Sequence, residues 1–142
     1  MKSKAELCFV DTSAFVALNH PQDSNHNRAY EIAGILNAAR LVLTDLVIAE
    51  SHALLRYRLG FHVADRFLEY VLNDDQFLIA DVNPSVRAEA YRLLRRFSDH
   101  KISYCDAVSV AVMKEMQIGE VFAFDRHFEI MGVASIERRL RP

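Results

Sequence analysis

The sequence predicts an α/β protein in which a central, mainly parallel sheet of 4-5 strands lies between two layers of helices. Short apolar runs alternate with longer segments of helical periodicity. The apolar runs contain almost no polar residue, which is typical of strands that are covered on both faces. The chain has only 4 glycines and 3 prolines, so it lacks the frequent turns of a β-sandwich. Strands separated by helices indicate right-handed crossovers and a doubly wound sheet.

The predicted strands are the runs "LCFV", "LVL", "FLIA" and "VFAF", at residues 7–10, 41–43, 77–80 and 121–124. Each run is too short for a helix of ordinary length and is bounded by polar residues or turn residues. A further short run near Val133 predicts an edge strand.

The segments between the strands have helical periodicity. In one of them, Ala29, Ile32 and Leu36 fall on one face, and Gly60 ends another. Asn83 followed by Pro84 is typical of a helix start, and a last apolar helix ends before Gly119. The predicted helices are 13–19, 25–38, 46–59, 62–73, 84–97 and 104–117.

Composition sets broad limits on the kind of protein. The length of 142 residues predicts a single domain over 1–142. The net charge of −2 does not indicate a nucleic-acid-binding protein as a whole, so any such site must be local. The two cysteines, Cys8 and Cys105, stand in apolar surroundings without a CxxC motif, which argues against a zinc site or a disulfide framework. No apolar run reaches the ~20 residues of a membrane span, so we expect a cytoplasmic protein without membrane contact.

Four acidic residues stand in apolar frames. Asp11 and Asp125 each follow a predicted strand directly, at the carboxyl end where such sheets place their sites. Glu50 and Asp106 lie on helices that should pack on the same sheet. Whether the acids are neighbours depends on the strand order, which the sequence does not give.

Each acid also has a purely structural explanation. Asp11 could cap the helix that follows it, and Asp106 could favour its helix through the helix dipole. Glu50 could be an exposed helix position, and Asp125 could open a turn. Together, however, converging carboxylates repel one another and lose hydration, so they destabilise the fold unless a cation joins them. Oxygen ligands without a thiol suit Mg²⁺ or Mn²⁺, and such a site fits phosphodiester hydrolysis.

The stretches "FVDTSAFVAL", "LTDLVIAESHALL", "SYCDAVSVAV" and "VFAFDRHF" occur in an order and spacing that resembles the PIN-domain ribonucleases, most closely the VapC-type toxins of toxin–antitoxin pairs. The resemblance implies a three-layer PIN-like fold and metal-dependent cleavage of RNA. It also implies a cognate antitoxin, which binds over the active site, and a homodimer. The apolar helices around Gly60 are candidates for either protein contact.

The resemblance also implies site residues. The metal-binding and catalytic acids would be Asp11, Glu50, Asp106 and Asp125, and the hydroxyl of Ser13 would help to hold water or phosphate. One position departs from the family pattern: the family often has Thr or Ser two residues before the last acid, where this chain has Ala123. That departure puts the role of Asp125 and of a second metal in question.

Basic residues near the acids suggest contacts with RNA phosphates, although each could equally be part of a solvated helix face. Arg126 and His127 could touch phosphate or belong to a packed turn anchored by Phe128. The other candidates are Arg56, Arg58, Arg66, Arg87, Arg92, Arg95, Arg96, Lys101, Arg138, Arg139 and Arg141.

Three other functions remain open from the sequence. The chain could be a stand-alone PIN nuclease that processes RNA, or a PIN-like scaffold that binds RNA or protein without cleavage. A receiver-like signalling module would bind Mg²⁺ without hydrolysis, but it would prefer paired acids after the first strand and a lysine after a late strand. This chain has Asp11 alone after its first strand and no lysine in 121–128.

Overall fold

The computed structural model describes residues 5–140 and contains one five-stranded sheet. All four strand pairings are parallel, and the spatial order is β3-β2-β1-β4-β5. The first strand therefore lies at the centre of the sheet, between β2 and β4. The strands are β1 (Leu7–Val10), β2 (Arg40–Leu43), β3 (Phe77–Ile79), β4 (Glu120–Phe122) and β5 (Ala134–Ser135).

Helices cover both faces of this sheet, which confirms the predicted three-layer architecture. Right-handed crossovers from β1 to β2 and β3 place α1–α4 on one face, and the return to β4 and β5 places α5–α7 on the other. The packing agrees, since α1 packs on α2 and α3, whereas α6 packs on α5 and α7. The helices are α1 (Thr12–Asn19), α2 (His26–Ile35), α3 (Asp45–Leu59), α4 (Phe61–Asn73), α5 (Pro84–Arg96), α6 (Tyr104–Met116) and α7 (His127–Ile130).

The core is formed by β1 and α6 together with the apolar sides of the other helices. Residues 8–10 of β1 and 105–113 of α6 are all buried. Cys8 and Cys105 are free thiols within this core, as the sequence predicts. Burial raises the pKa of both thiols to about 12, with smaller contributions from nearby acids. They are therefore small packing residues and not nucleophiles.

Local signals set most helix boundaries where the sequence predicts them. The side chain of Asn83 accepts a hydrogen bond from the Val86 N–H, with Pro84 in the first turn of α5. Gly60 has a φ of 92° and separates α3 from α4, so the turn uses a backbone conformation that glycine adopts without strain. Helix α6 ends before Gly119, as predicted, and the chain reverses at Gln117, whose φ is 57°.

The remaining differences between the predicted and observed elements each involve only a few residues. Helix α2 ends at Ile35 and not at residue 38, because the chain turns through 36–39 to enter β2. Strand β4 ends at Phe122, because the next backbone N–H groups no longer continue the ladder and Phe124 N–H binds a side chain instead. The four-residue helix α7 and a 3₁₀ turn at Ile136–Leu140 have no counterpart in the predicted elements. Within residues 5–140, no helix has the length and apolarity needed to cross a membrane.

Candidate metal centre and active site

The strand order brings two of the predicted acids to the same place. Strands β1 and β4 are neighbours, and the N–H of Asp11 donates to the carbonyl of Phe122 at 3.0 Å. The connections leave β1 and β4 on opposite faces of the sheet, so a crevice opens between their carboxyl ends. This is the switch point at which doubly wound sheets bind ligands. Asp11 lies in that crevice, and Asp125 follows three residues after β4.

Asp11 is the most buried of the four acids, with 3% of its surface exposed. Its Oδ2 accepts hydrogen bonds from the N–H of Ser13 at 3.0 Å and from the Ser13 hydroxyl at 2.7 Å, so Asp11 does cap α1. Its Oδ1 is buried and has no hydrogen-bond partner. The pKa of Asp11 is raised to about 6, mainly by burial and to a smaller extent by the charge of Asp106, against the lowering effect of the Ser13 hydrogen bonds. The orphaned oxygen indicates that a cation belongs there.

The hydroxyl of Ser13 connects the ends of the two central strands. It donates to Asp11 Oδ2 and accepts from the N–H of Phe124 at 2.9 Å. The hydroxyl of Ser135 donates to the carbonyl of Ala123 at 3.2 Å. The hydroxyls of Ser13 and Ser135 therefore hold the backbone of the segment that follows β4. They do so although position 123 of that segment lacks the hydroxyl of the family pattern. The geometry makes Ser13 a positioning residue for Asp11.

Asp106 is placed by the first turn of α6. The N–H of Asp106 donates to the Ser103 hydroxyl at 3.1 Å, and Asp106 Oδ2 accepts from the N–H of Ser103 at 3.1 Å. This reciprocal capping box fixes the carboxylate at the helix N-terminus. Asp106 is 7% exposed. Its side chain both caps α6 and lines the acidic crevice.

His127 is the residue whose place the sequence left open. Its Nδ1 lies 3.1 Å from Asp106 Oδ2 and 3.2 Å from Asp125 Oδ1. Its backbone N–H also donates to Asp125 Oδ1 at 2.9 Å, and the neighbouring Phe128 is buried in the core. One ligand atom each of Asp106, Asp125 and His127 lie within 4.8 Å of one another. The packed turn anchored by Phe128 is therefore present, whereas a contact of His127 with phosphate stays a prediction.

Glu50 reaches the same crevice from α3. A cavity of about 410 Å³ opens over Asp11, and Glu50 lines it from an exposed position. The charges of Glu50, Asp11 and Asp106 all raise the pKa of Cys105, which places these three acids around the start of α6. The residues that line the cavity are Asp11, Thr12, Ser13, Val16, Asp23, Asn25, Glu50, Leu54, Arg58, Asp106, Phe124 and Asp125.

Sequence reasoning did not assign Asp23 and Asn25 to the site. Both lie in the turn between α1 and α2, where the Asp23 carboxylate accepts from the N–H of Asn25 at 2.8 Å. Polar residues before a helix ordinarily indicate a cap, so no sequence signal separates this turn from any other. Arg58 also lines the cavity, and its only sequence signal is its position eight residues after Glu50 on α3.

Several of the basic residues predicted to bind phosphate form ion pairs or ring contacts with other side chains of the protein. Arg139 forms ion pairs with Glu6 and Glu120, and Arg92 pairs with Glu89. Arg95 and Arg96 lie over aromatic rings of α5 and its C-terminus. Arg141 lies outside the described residues. Of the predicted basic residues in 5–140, Arg58 is the one that lines the acidic cavity.

The residues fit a divalent metal ion. The donor set consists of carboxylate oxygens with one imidazole beside them, which suits Mg²⁺ or Mn²⁺ better than a soft metal. The buried Oδ1 of Asp11 lacks a partner, and ligand atoms of Asp106, Asp125 and His127 lie within 4.8 Å of one another. All four predicted acids border one crevice, and Asp11 and Asp106 are the two that the fold buries and orients.

Comparisons with known proteins agree with this fold. The model of the PIN domain family matches residues 8–133. VapC20 of Mycobacterium tuberculosis, a 23S rRNA-specific endonuclease, is 28% identical over 131 residues, which cover 92% of this chain and 98% of VapC20. The crystal structure of VapC20, a Sarcin-Ricin loop cleaving toxin, superimposes with a TM-score of 0.82 at 26% identity over 91% of this chain and 97% of that structure.

A second solved structure shares the fold. FitAcB from Neisseria gonorrhoeae superimposes with a TM-score of 0.65 at 19% identity and covers 91% of this chain and 95% of that structure. The match to the family model spans most of the sequence and includes all four acids. The chain belongs to the PIN domain family.

Proposed function

We propose that this protein is a Mg²⁺- or Mn²⁺-dependent endoribonuclease that hydrolyses phosphodiester bonds in RNA, and that it acts as the toxin of a toxin–antitoxin pair. The observation that carries the proposal is that Asp11, Glu50, Asp106 and Asp125 line one cavity. Asp11 Oδ1 is buried without a partner, and Asp106, Asp125 and His127 bring ligand atoms within 4.8 Å of one another. The similarity to VapC20, which is named as an endonuclease and a toxin, supports it.

In this proposal each acid has a defined role. Asp11 and Asp106 hold the ion directly, because the fold buries and orients both. Glu50 and Asp125 are more exposed and bind the ion directly or through water. When bound, the ion activates water and neutralises charge that develops on the phosphate and the leaving oxygen.

The remaining residues act on these acids. Ser13 holds Asp11 Oδ2 through its hydroxyl and its N–H, and so leaves Oδ1 as the free ligand atom. His127 contacts Asp106 and Asp125 and keeps the two carboxylates at a fixed separation. The crevice walls exclude bulk water on the side of Asp11, where electrostatic interactions are strongest.

A cleavage assay tests the proposal. Labelled RNA, including intact ribosomes and an oligonucleotide of the Sarcin-Ricin loop that VapC20 cleaves, is incubated with the protein in Mg²⁺, in Mn²⁺ and in EDTA. We expect cleavage in either ion and none in EDTA. Asp11→Asn should reduce cleavage by at least 100-fold, whereas Asp65→Asn, an exposed acid of α4 outside the cavity, should cleave like the wild type. Cleavage by Asp11→Asn at the wild-type rate would refute the site.

Protein partners follow from the same proposal. Exposed apolar side chains on α3 and α4, Tyr57, Phe61, Tyr70 and Leu72, exceed what the core of this domain uses and suit an antitoxin or a second copy of the chain. Co-expression with the product of a neighbouring short open reading frame should yield a complex that no longer cleaves RNA. Native mass spectrometry of the chain alone tests the proposed homodimer, which a single monomer peak at micromolar concentration would contradict.

A stand-alone PIN nuclease that processes RNA in the cytoplasm is the second candidate, because the acids would be the same. The absence of any neighbouring open reading frame that suppresses the activity would favour it. A scaffold without catalysis would leave Asp11 Oδ1 buried without a ligand, which destabilises the fold without serving a reaction, so we place it third. The receiver-like module is set aside, because the chain belongs to the PIN domain family.

A further inference from the structure

We infer that Arg58 is the residue that anchors the RNA backbone beside the cleavage site, by binding a phosphate next to the one that is cleaved. The inference rests on the proposed ribonuclease function and adds a binding residue to it. Arg58 lines the cavity that contains the four acids, although it lies on α3 and not at the end of a strand.

The position of Arg58 on α3 follows from helix geometry. Glu50, Leu54 and Arg58 are spaced four residues apart, so they form one stripe on the helix, and all three line the cavity. Eight residues correspond to about 12 Å along the helix axis. Side chains lean toward the helix N-terminus, which turns the Arg58 side chain toward Glu50. The guanidinium is therefore beside the metal centre and separate from it.

The charge of Arg58 is available for a ligand. Within residues 5–140, the Arg58 side chain takes part in no ion pair, hydrogen bond or ring contact, although the cavity that it lines holds five carboxylates. Its neighbour Arg56 is different, since its guanidinium lies 5.9 Å from the centre of the Phe61 ring. An exposed arginine at the rim of an acidic cavity repels the metal ion but attracts a phosphate, and its planar guanidinium matches phosphate oxygens in two hydrogen bonds.

The chemistry also decides which phosphate it binds. In the proposed reaction the cleaved phosphate would lie at the acids that would hold the ion, above all the buried Asp11 and Asp106. Arg58 lies about two helical turns from Glu50 on α3, so its guanidinium would meet the backbone one or more nucleotides away, where no bond changes during the reaction. Its contribution is therefore equal in the ground state and the transition state, which lowers KM and leaves kcat unchanged.

The test compares Arg58→Gln with Arg56→Gln, which removes the same charge from the same exposed helix two residues away. In steady-state cleavage of a single-stranded RNA, Arg58→Gln should raise KM about tenfold with kcat within twofold, and Arg56→Gln should change KM less than twofold. Arg58→Lys should give an intermediate KM, because it keeps the charge without the two-pronged contact. A fall in kcat as large as the fall in kcat/KM would overturn the inference, since it would place Arg58 at the reacting phosphate.

A binding measurement provides a readout that does not depend on turnover. Each substitution is combined with Asp11→Asn, and the affinity for the same labelled RNA in Mg²⁺ is measured by fluorescence anisotropy at several salt concentrations. Loss of one phosphate contact should reduce the slope of log K against log salt by about 0.7 for Arg58→Gln, with no such change for Arg56→Gln. Equal slopes for the two variants would refute the anchor. If the wild type binds RNA but does not cleave it, the proposed function fails while this slope still decides the role of Arg58.

Discussion

The burial of Asp11 makes a quantitative prediction for Asp11→Asn in the absence of metal. The carboxyl has a pKa near 3.8 when the chain is unfolded and about 6 when it is folded. The folded protein therefore binds a proton more tightly than the unfolded chain does, and ionisation of Asp11 opposes folding. Each unit of pKa difference is worth 1.36 kcal/mol, so the penalty reaches about 3 kcal/mol at pH 8.

The sign of the pKa difference sets the pH range in which the ionised Asp11 destabilises the fold. The penalty is fully present above the folded pKa of about 6, decreases as the pH falls through 6, and has nearly gone at pH 4. The variant carries no charge at this position and has no such pH dependence. The unpaired amide NH₂ of the asparagine costs about 1–3 kcal/mol, but this cost does not vary with pH. Relative to the wild type, Asp11→Asn should therefore gain about 2 kcal/mol of stability between pH 4 and pH 8.

Urea unfolding in EDTA at pH 4, 6 and 8 measures this difference, and subtraction of the two proteins cancels the titration of all other groups. Mg²⁺ at pH 8 should then stabilise the wild type by about 2.7 kcal/mol at 100 times its Kd, and the variant much less. A wild-type-minus-variant difference that is the same at all three pH values would refute the reasoning, as would a difference that grows toward acid pH.

Three further substitutions test the groups that support the acids, and a fourth, Asn83→Ala, serves as a control. Ser13→Ala should lower the free energy of unfolding by about 1–2 kcal/mol, measured by urea unfolding, because it removes the hydroxyl that joins Asp11 to the segment after β4; an unchanged midpoint would contradict this. Ser103→Ala and Asn83→Ala each remove a helix cap and should each lower the free energy of unfolding by about 1 kcal/mol. Calorimetric titration should show weaker Mg²⁺ binding only for Ser103→Ala. An equal loss of Mg²⁺ affinity in both variants would count against the capping box as a support of the metal centre. His127→Ala should weaken Mg²⁺ binding by roughly 10–100-fold without unfolding the protein, and wild-type affinity would show that the imidazole does not organise the ligands.

The sequence predicts much of this fold because its signals are local. A run such as "LCFV" is buried on both faces and can form only a covered strand, and Asn83 with Pro84 defines a helix start without help from the rest of the chain. The sequence also singles out the four acids, since each stands among apolar residues. Their assignment as metal ligands remains a prediction, although the cavity that they border is consistent with it.

The features of the structure that the sequence does not predict depend on contacts between residues far apart in the chain. Which strand lies beside β1 is settled by contacts between residues more than 100 positions apart, such as Phe9 with Val121, and no local pattern encodes them. The contacts of His127 require that order and a helix of only four residues, which is too short to have a detectable period. Arg58 resembles any exposed arginine until α3 is known to form a wall of the cavity.

The central position of β1 has a consequence for synthesis on the ribosome. The first half of the chain can supply β1, β2 and β3, but the edge of β1 that receives β4 stays open until residues 120–122 have left the exit tunnel. Asp106 and Asp125 arrive with that last part, so a nascent chain carries Asp11 and Glu50 without the carboxylates that complete their pocket. The acidic crevice therefore cannot form until the chain has emerged through β4 and Asp125.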